Sequence, residues 1–271
     1  NPYSYVAQRD TSGHGPLLAS ISAGSYTDGY VGVAPGAELL VVKLKQSKQY
    51  LRDFFLIKDD VPAFEESDIM LALRFLEDYA IRLGKPLIII FGLGSANGSR
   101  TGASPLAEMM ENLTKKPNIS VITCMGNEAN NKCHYKGTVM SALVPDVMEI
   151  NVDGTGKGFT MEIWADSLDI LSVSIESPSG EYVPRIPARM GASMEYTFLY
   201  EGSTVTVDYQ ITENVAGMEV IFVRLKTPVE GTWKFYIYSL TNIKGSYNAW
   251  LPLKQFSGQD IYFLKSDPDT T

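Results

Sequence analysis

The feature that most constrains the fold is a change of hydrophobic period near residue 153 of this 271-residue chain. Before it, apolar residues recur at three- and four-residue steps or form short continuous runs, as in helices and buried strands. After it, apolar and polar residues alternate in about six short stretches separated by glycine, proline and serine, the pattern of antiparallel strands. The two patterns predict an α/β region joined to an antiparallel β-sandwich.

The first region alternates predicted strands and helices. Apolar strands are expected at 38–45, 86–91 and 119–124, and helices at 67–83 and 104–115. Apolar strands separated by helices are typical of a parallel sheet that is covered on both faces. We therefore predict an α/β fold with a mostly parallel sheet flanked by helices, into which the antiparallel sandwich is inserted. The predicted domains are residues 1–150, the insert at 151–252, and a return segment at 253–271.

Charge and hydropathy narrow the classes of partner. The formal net charge is −8, so no basic surface is expected to meet nucleic-acid phosphates. No apolar run is long enough to cross a bilayer, and the first residues do not resemble a secretion signal. We expect neither nucleic acid nor membrane as a partner, and the sequence does not indicate a compartment.

Three short segments carry the chemistry. The first, Ser12-Gly-His14-Gly15, opens a helix of small residues; the second, Gly32-Val-Ala-Pro35, stands between this helix and the next predicted strand; and the third, Gly126-Asn127, follows the strand at 119–124. A lone histidine or a lone Gly-Asn pair would be a turn. An imidazole that acts as a base and a carboxamide that donates to an oxyanion are two of the groups that acyl transfer uses.

The order of these segments resembles that of the subtilisin-like serine proteases, the subtilases. Within that family the chain most resembles a clostridial group that includes the spore-germination proteases. Further stretches of similarity are 9–15, 44–52, 67–74, 98–108 and 134–139. Such proteins carry a jelly-roll β domain inserted into the subtilase fold, and the alternating stretch from 153 to 250 stands where that insert is expected.

The resemblance implies roles for particular residues. His14 corresponds to the histidine of the catalytic triad and Asn127 to the asparagine that stabilises the oxyanion. Gly92, Leu93 and Gly94 correspond to the segment that pairs with the substrate backbone, and we add Gly126 to the residues expected to bind substrate. The expected substrate is a polypeptide, and neither a cofactor nor a metal is expected.

Two parts of the triad have no counterpart in the sequence. No Gly-Thr-Ser-x-Ala motif occurs, and Asp10 does not stand in the strand that bears the family's aspartate. The chain is therefore expected to be an internal fragment of a serine endopeptidase, inactive by itself. Pro16, Ser20 and Gly92 replace the usual Thr, Gly and Ser. These departures support an alternative, a catalytically inactive scaffold that binds a protein partner.

Several minor hypotheses accompany these. Gly92-Leu-Gly94 resembles a dinucleotide-binding loop, but its spacing is wrong by one residue. His134 is expected at the surface rather than on a metal, and Cys124 is expected in a buried strand unless it pairs with Cys133. Acidic pairs at 59–60 and 65–66 are either solvated charges or calcium ligands. Six aromatic residues in the alternating half are either core or a platform for glycan or protein: Tyr182, Tyr196, Tyr209, Trp233, Tyr236 and Tyr238.

Overall fold

The computed structural model describes residues 9–165, 170–189, 191–211, 218–240 and 245–265. They form two compact units, which are described separately. Unit 1 contains the described residues of 9–46, 64–92 and 109–123, and unit 2 contains 47–63, 93–108 and the described residues from 124 onward. Within the described residues, no helix has both the length and the apolar character needed to cross a membrane.

Helices dominate the first part of the chain. They are α1 (His14–Ala23), α2 (Gln49–Phe54), α3 (Glu66–Leu83) and α4 (Pro105–Thr114). Helix α3 buries Leu73 and Ala80, which lie on one apolar face, and it ends at Gly84, whose φ of 62° is left-handed. The predicted helices at 67–83 and 104–115 are thus confirmed to within a residue or so at each end.

Unit 1 contains a small parallel sheet of two strands, β1 (Leu87–Phe91) and β2 (Ile119–Thr123). The register pairs Leu87 with Ile119 and Phe91 with Thr123, so the carboxyl ends of the two strands meet at one edge. Ile89 is buried on one face. The other face leaves three isoleucine side chains exposed: Ile88, Ile90 and Ile122.

Unit 2 is built on two antiparallel sheets. The strands are β3 (His134–Val139), β4 (Asp146–Asp153), β5 (Gly158–Ala165), β6 (Leu171–Glu176), β7 (Tyr182–Ile186), β8 (Ser193–Thr197), β9 (Thr204–Ile211), β10 (Glu219–Lys226), β11 (Gly231–Ser239), β12 (Gly245–Trp250) and β13 (Asp260–Phe263). One sheet has the order β3-β12-β5-β10-β9-β8, and the other has β13-β4-β11-β6-β7. The inner faces share one core, and its largest fully buried side chains include Trp233, Tyr247 and Phe159.

Residues 47–63, the part of the irregular stretch that belongs to unit 2, pack on the outer face of the six-stranded sheet. The ring of Phe54 stacks on Phe222 of β10 at 5.7 Å between centroids, and Phe55 meets Phe222 edge-on. Arg52 is buried and donates from Nη2 to the carbonyls of Lys58 and Asp59. The stretch is therefore a packed segment of unit 2 whose backbone carbonyls are satisfied by a buried guanidinium.

The predicted fold class, a mostly parallel α/β sheet with an antiparallel insert, is wrong. The described strands belong mostly to the two antiparallel sheets, and parallel pairing is confined to β1 and β2. The expected strand at 38–45 does not form, and Val41 there is 71% exposed. Apolar composition alone does not make a strand, because a strand needs a hydrogen-bonded neighbour.

The predicted fold class is also wrong about where the alternation of apolar and polar residues begins. It begins at β3, before residue 153. Strands β3 and β4 both bury every second residue against the sandwich core, although they lie in the half whose pattern predicted parallel structure. The division into domains 1–150, 151–252 and 253–271 stays a prediction.

Candidate functional site

His14 is the first residue of α1. Gly13 precedes it with φ 79°, a left-handed conformation that suits glycine. The Gly13 N–H donates to Asp10 Oδ2 at 2.5 Å, and the His14 N–H donates to Ser12 Oγ at 3.3 Å. These bonds hold the turn that carries the imidazole to the helix start.

Asp10 is a partner of the backbone in this turn. Besides Gly13, it accepts a bond from Ser12 Oγ at 3.2 Å. The hydrogen bond from the Gly13 N–H is the main cause that lowers the pKa of Asp10. These contacts give Asp10 a role in shaping the turn.

The imidazole of His14 contacts the end of β1. Its Nε2 lies 2.9 Å from the carbonyl oxygen of Gly92, the residue that follows Phe91. A carbonyl oxygen only accepts, so Nε2 carries the proton in this contact. The structure thus brings together two residues that were selected from distant parts of the sequence, at the carboxyl edge of the parallel pair.

Gly92 also lies against α1. A Cβ atom added to Gly92 would lie 2.4 Å from Leu18 Cδ1. Leu18 belongs to α1, four residues after His14. The glycine therefore allows the helix that carries the imidazole to approach the end of β1 closely.

Leu93 and Gly94 begin a loop in unit 2. The carbonyl of Leu93 accepts from Cys124 Sγ at 3.6 Å. Gly94 is exposed, and an added Cβ there would have no atom within 4 Å. The backbone at Gly94 is thus open to solvent, as a segment that meets a substrate requires.

Gly126 and Asn127 follow β2 in an exposed turn. Gly126 has φ 91°, a conformation that favours glycine, and Asn127 is exposed. Just beyond them, the Asn131 N–H donates to the Glu128 carbonyl at 2.9 Å and closes the turn. His14 and Asn127 belong to different units, and their convergence on one cleft stays a prediction.

The outer face of the six-stranded sheet carries a cluster around Glu162 that the sequence does not predict as a site. Glu162 Oε2 accepts from the Gly98 N–H at 2.8 Å and from Trp164 Nε1 at 2.9 Å. Arg100 lies over the ring of Trp250 at 4.5 Å. The only signal in the sequence is that Glu162 and Trp250 occupy outward positions of alternating strands.

The expected surface position of His134 is wrong. The residue is 2% exposed, its ring stacks on Trp250 at 4.8 Å between centroids, and Nε2 bonds Asn248 Oδ1 at 2.9 Å. Its position at the start of β3, beside β12, explains the burial, because Trp250 pairs with it in register. His134 is a packed residue of the sheet.

The two cysteines do not form a disulfide, and one of the acidic residues at 59–60 forms an ion pair. Cys124 and Cys133 are both free, and Cys124 is exposed after β2, so the prediction of a buried strand position is wrong. Burial raises the pKa of Cys133, and Glu128 adds to the effect.

Asp59 forms an ion pair with Lys157. Among the described residues no group of three or more His, Cys, Asp or Glu side chains is arranged to hold a metal ion.

Five of the six aromatic candidates divide into two groups, and the sixth, Tyr196, is partly buried against the sandwich core and donates its hydroxyl to Glu181 Oε1 at 2.9 Å. Trp233 and Tyr209 are buried in the sandwich core, and the Tyr209 hydroxyl donates to the Ile186 carbonyl. Tyr182, Tyr236 and Tyr238 lie together on the five-stranded sheet, where Arg185 covers Tyr238 at 4.7 Å. The core positions of Trp233 and Tyr209 remove two members of the proposed binding platform.

Comparison with known proteins identifies the fold. No family model matches the sequence, and no curated protein matches it. Among solved structures, one of the Clostridium perfringens CspB protease matches with a TM-score of 0.81. The fold is similar to that of about half of the CspB protease chain. The alignment covers 99% of this chain and 54% of the CspB chain, at 23% sequence identity. This chain thus spans about half the length of the CspB protease structure.

Proposed function

We propose that this chain is part of a subtilisin-like serine endopeptidase, which hydrolyses peptide bonds through an acyl-enzyme. The observation that carries the proposal is the contact between His14 Nε2 and the Gly92 carbonyl at the carboxyl end of β1. Two residues chosen for catalysis and substrate binding meet there. The fold shared with the CspB protease adds support.

In this proposal His14 is the general base. It takes the proton of a serine hydroxyl as that oxygen attacks the substrate carbonyl, and then gives the proton to the leaving amine. Nε2 must exchange its bond with the Gly92 carbonyl for one with the serine before it accepts a proton. The serine and the carboxylate that orients the imidazole are supplied by residues outside this sequence.

Asn127 is proposed to stabilise the oxyanion. Its exposed side chain carries two N–H donors, and an amide donor aimed at the developing charge stabilises the tetrahedral intermediate. Gly92, Leu93, Gly94 and Gly126 are proposed to contact the polypeptide substrate. The 271-residue chain by itself is proposed to be inactive, since it lacks a nucleophile in the expected context.

One observation favours the alternative of an inactive scaffold that binds a protein partner. In the structure the proton on Nε2 faces a carbonyl, which is the opposite of the lone pair that a base needs. Pro16, Ser20 and Gly92 also depart from the usual residues of the family. In this alternative the protein has the same fold and binds a partner through its surface, but it does not hydrolyse peptide bonds.

Labelling with a fluorophosphonate probe separates the two functions. The full-length protein that carries this sequence should be labelled at one serine, and His14→Ala should lower the labelling rate strongly, because the imidazole activates the hydroxyl. A full-length sequence with glycine or alanine at the serine position, or a folded protein that takes no label, would remove the protease and leave the scaffold.

A further inference from the structure

The segment 93–101, here called the 93–101 loop, is attached to the outer face of the six-stranded sheet. The Gly98 N–H donates to Glu162 Oε2 on β5. Arg100 lies over the ring of Trp250 on β12, and its Nη2 donates to the Ala96 carbonyl at 2.6 Å. The loop is therefore held to two neighbouring strands and braced across its own turn.

Glu162 is the centre of this attachment. It is 9% exposed and stands between Trp250 of β12 and Phe222 of β10 in the strand register. Its Oε2 atom accepts both the Gly98 N–H and the indole N–H of Trp164. The positive charge of Arg100, in the 93–101 loop, favours the charged form of the Glu162 carboxylate. One oxygen atom thus joins the sheet to the loop.

A carboxylate is a costly choice at this position. Burial raises the pKa of Glu162, against the opposing effects of the Gly98 and Trp164 donors and of Arg100. An apolar residue would fill an outward position between two aromatic neighbours at lower cost. Because the acceptor is used by the loop, the position of the loop is what the carboxylate secures.

The loop conformation depends on the same point. Gly98 has φ 95°, which glycine adopts readily, and this conformation presents its N–H to Glu162. Four residues earlier, Gly94 is exposed, and its backbone is open to solvent. Gly98, which is bonded to Glu162, and Gly94, which is exposed, are four residues apart in one loop. Fixing Gly98 therefore limits where the Gly94 backbone lies.

We propose that Glu162 is a positioning residue that fixes the 93–101 loop, and through it the backbone at Leu93 and Gly94 that receives the polypeptide substrate. This inference rests on the proposed function for its substrate and on the geometry of unit 2 for its anchor. Glu162 acts through the loop and does not touch the substrate.

The test compares Glu162→Leu with Glu162→Gln in the full-length protein. Leucine removes the acceptor, whereas the amide oxygen of glutamine keeps it. Hydrogen exchange of peptides covering 93–101 should accelerate about tenfold or more in Glu162→Leu, as expected when a buried donor loses its partner, and stay within about twofold in Glu162→Gln. With fluorescein-labelled casein, KM should rise about tenfold in Glu162→Leu with a smaller change in kcat, and glutamine should restore it.

Glu176→Leu is the matched control. Glu176 also accepts two side-chain bonds, from Lys234 and Tyr236, but on the five-stranded sheet. The Glu176→Leu variant should leave both the hydrogen exchange of residues 93–101 and the KM for casein unchanged.

Two results would overturn the inference in different ways. Unchanged exchange of the loop in Glu162→Leu means that Glu162 does not fix it, even in an active protease. Faster exchange with an unchanged KM means that the loop does not meet the substrate. A wild-type protein that neither hydrolyses casein nor takes a fluorophosphonate contradicts the proposed function and the substrate half of this inference, while the exchange result still decides the anchor.

Discussion

The Nε2 atom of His14 lies 2.9 Å from the carbonyl oxygen of Gly92. The two residues are 78 positions apart in sequence, and α1 and β1 bring them together within one unit. The contact fixes the direction of the imidazole and places a proton on Nε2. Nε2 therefore has a structural contact of its own. The effect of that contact can be tested separately from catalysis.

Replacing His14 tests that separation. In the full-length protein His14→Ala should lower kcat/KM for a peptide substrate by about 10⁴-fold, because the general base is lost. His14→Gln is the matched variant, since its amide N–H is able to donate to the Gly92 carbonyl but does not act as a base. Equal losses support catalysis by His14, and full activity in His14→Gln would assign the residue a purely structural role.

Replacing Asn127 tests the oxyanion donor. Asn127→Ala should lower kcat by about 10²–10³-fold with little change in KM, because the lost bond is made mainly in the transition state. Asn130→Ala is the control, an exposed asparagine three residues along the same turn. Steady-state kinetics on one peptide substrate decide it, and the prediction fails if the two alanine variants behave alike.

The close approach of Gly92 and Leu18 predicts a coupled pair. Gly92→Ala should destabilise unit 1 by about 0.5–1.5 kcal/mol, because its Cβ meets Leu18 Cδ1 and the leucine side chain must turn to make room. Gly94→Ala, where an added Cβ meets nothing, should cost far less. In a double-mutant cycle followed by urea denaturation, Leu18→Ala should lessen the penalty of Gly92→Ala. Additive free energies would show that the contact is not strained.

The two free thiols should react at different rates. Iodoacetamide should modify exposed Cys124 first, and Cys133 slowly, because burial and Glu128 raise the pKa of Cys133 and reduce its thiolate fraction. Peptide mapping by mass spectrometry measures both sites in one sample, and protection of both cysteines under non-reducing conditions would indicate a disulfide instead.

The raised pKa of Glu162 predicts how its contribution to stability depends on pH. Since the folded-state pKa lies above the ordinary value of 4.5, the folded protein binds the proton more tightly than the unfolded chain does. The free energy of unfolding of the wild type, relative to Glu162→Gln, should therefore fall as pH rises from about 4.5 through the folded-state pKa.

Glu176 provides a control of opposite sign for that measurement. Hydrogen bonds from Lys234 and Tyr236 lower the pKa of Glu176. The wild type, relative to Glu176→Gln, should therefore lose stability as pH falls through the lowered folded-state pKa. Urea denaturation from well below pH 4.5 up to neutral pH measures both differences, and equal slopes would contradict the assignment of the two environments.

Local structure was more predictable than topology. The apolar spacing of α3 and the glycine at its end specify a helix by themselves, and Gly84 has the left-handed conformation that such an end requires. Strand partners depend on residues far away in sequence. The apolar segment at 38–45 therefore predicted a strand that the structure does not form, and the alternation of β4 was not recognised as a strand.

The candidate site divides in the same way. The motif around His14 and the glycines after β1 were recognisable from residue types and their order, whereas their contact depends on how α1 packs at the end of β1, which residue order does not specify. Glu162 was not recognisable as an anchor, because its partner is a backbone N–H 64 residues away. Backbone donors carry no sequence signal, and neither does the packing of Trp250 on Arg100.

The bare face of the two-stranded sheet has a practical consequence. Ile88, Ile90 and Ile122 present three branched hydrocarbon groups to water beside one another, since Ile90 pairs directly with Ile122. Contiguous exposed hydrocarbon of this kind favours self-association. Samples of the isolated chain should be kept dilute, and their scattering should be followed as concentration rises before any kinetic or stability measurement is interpreted.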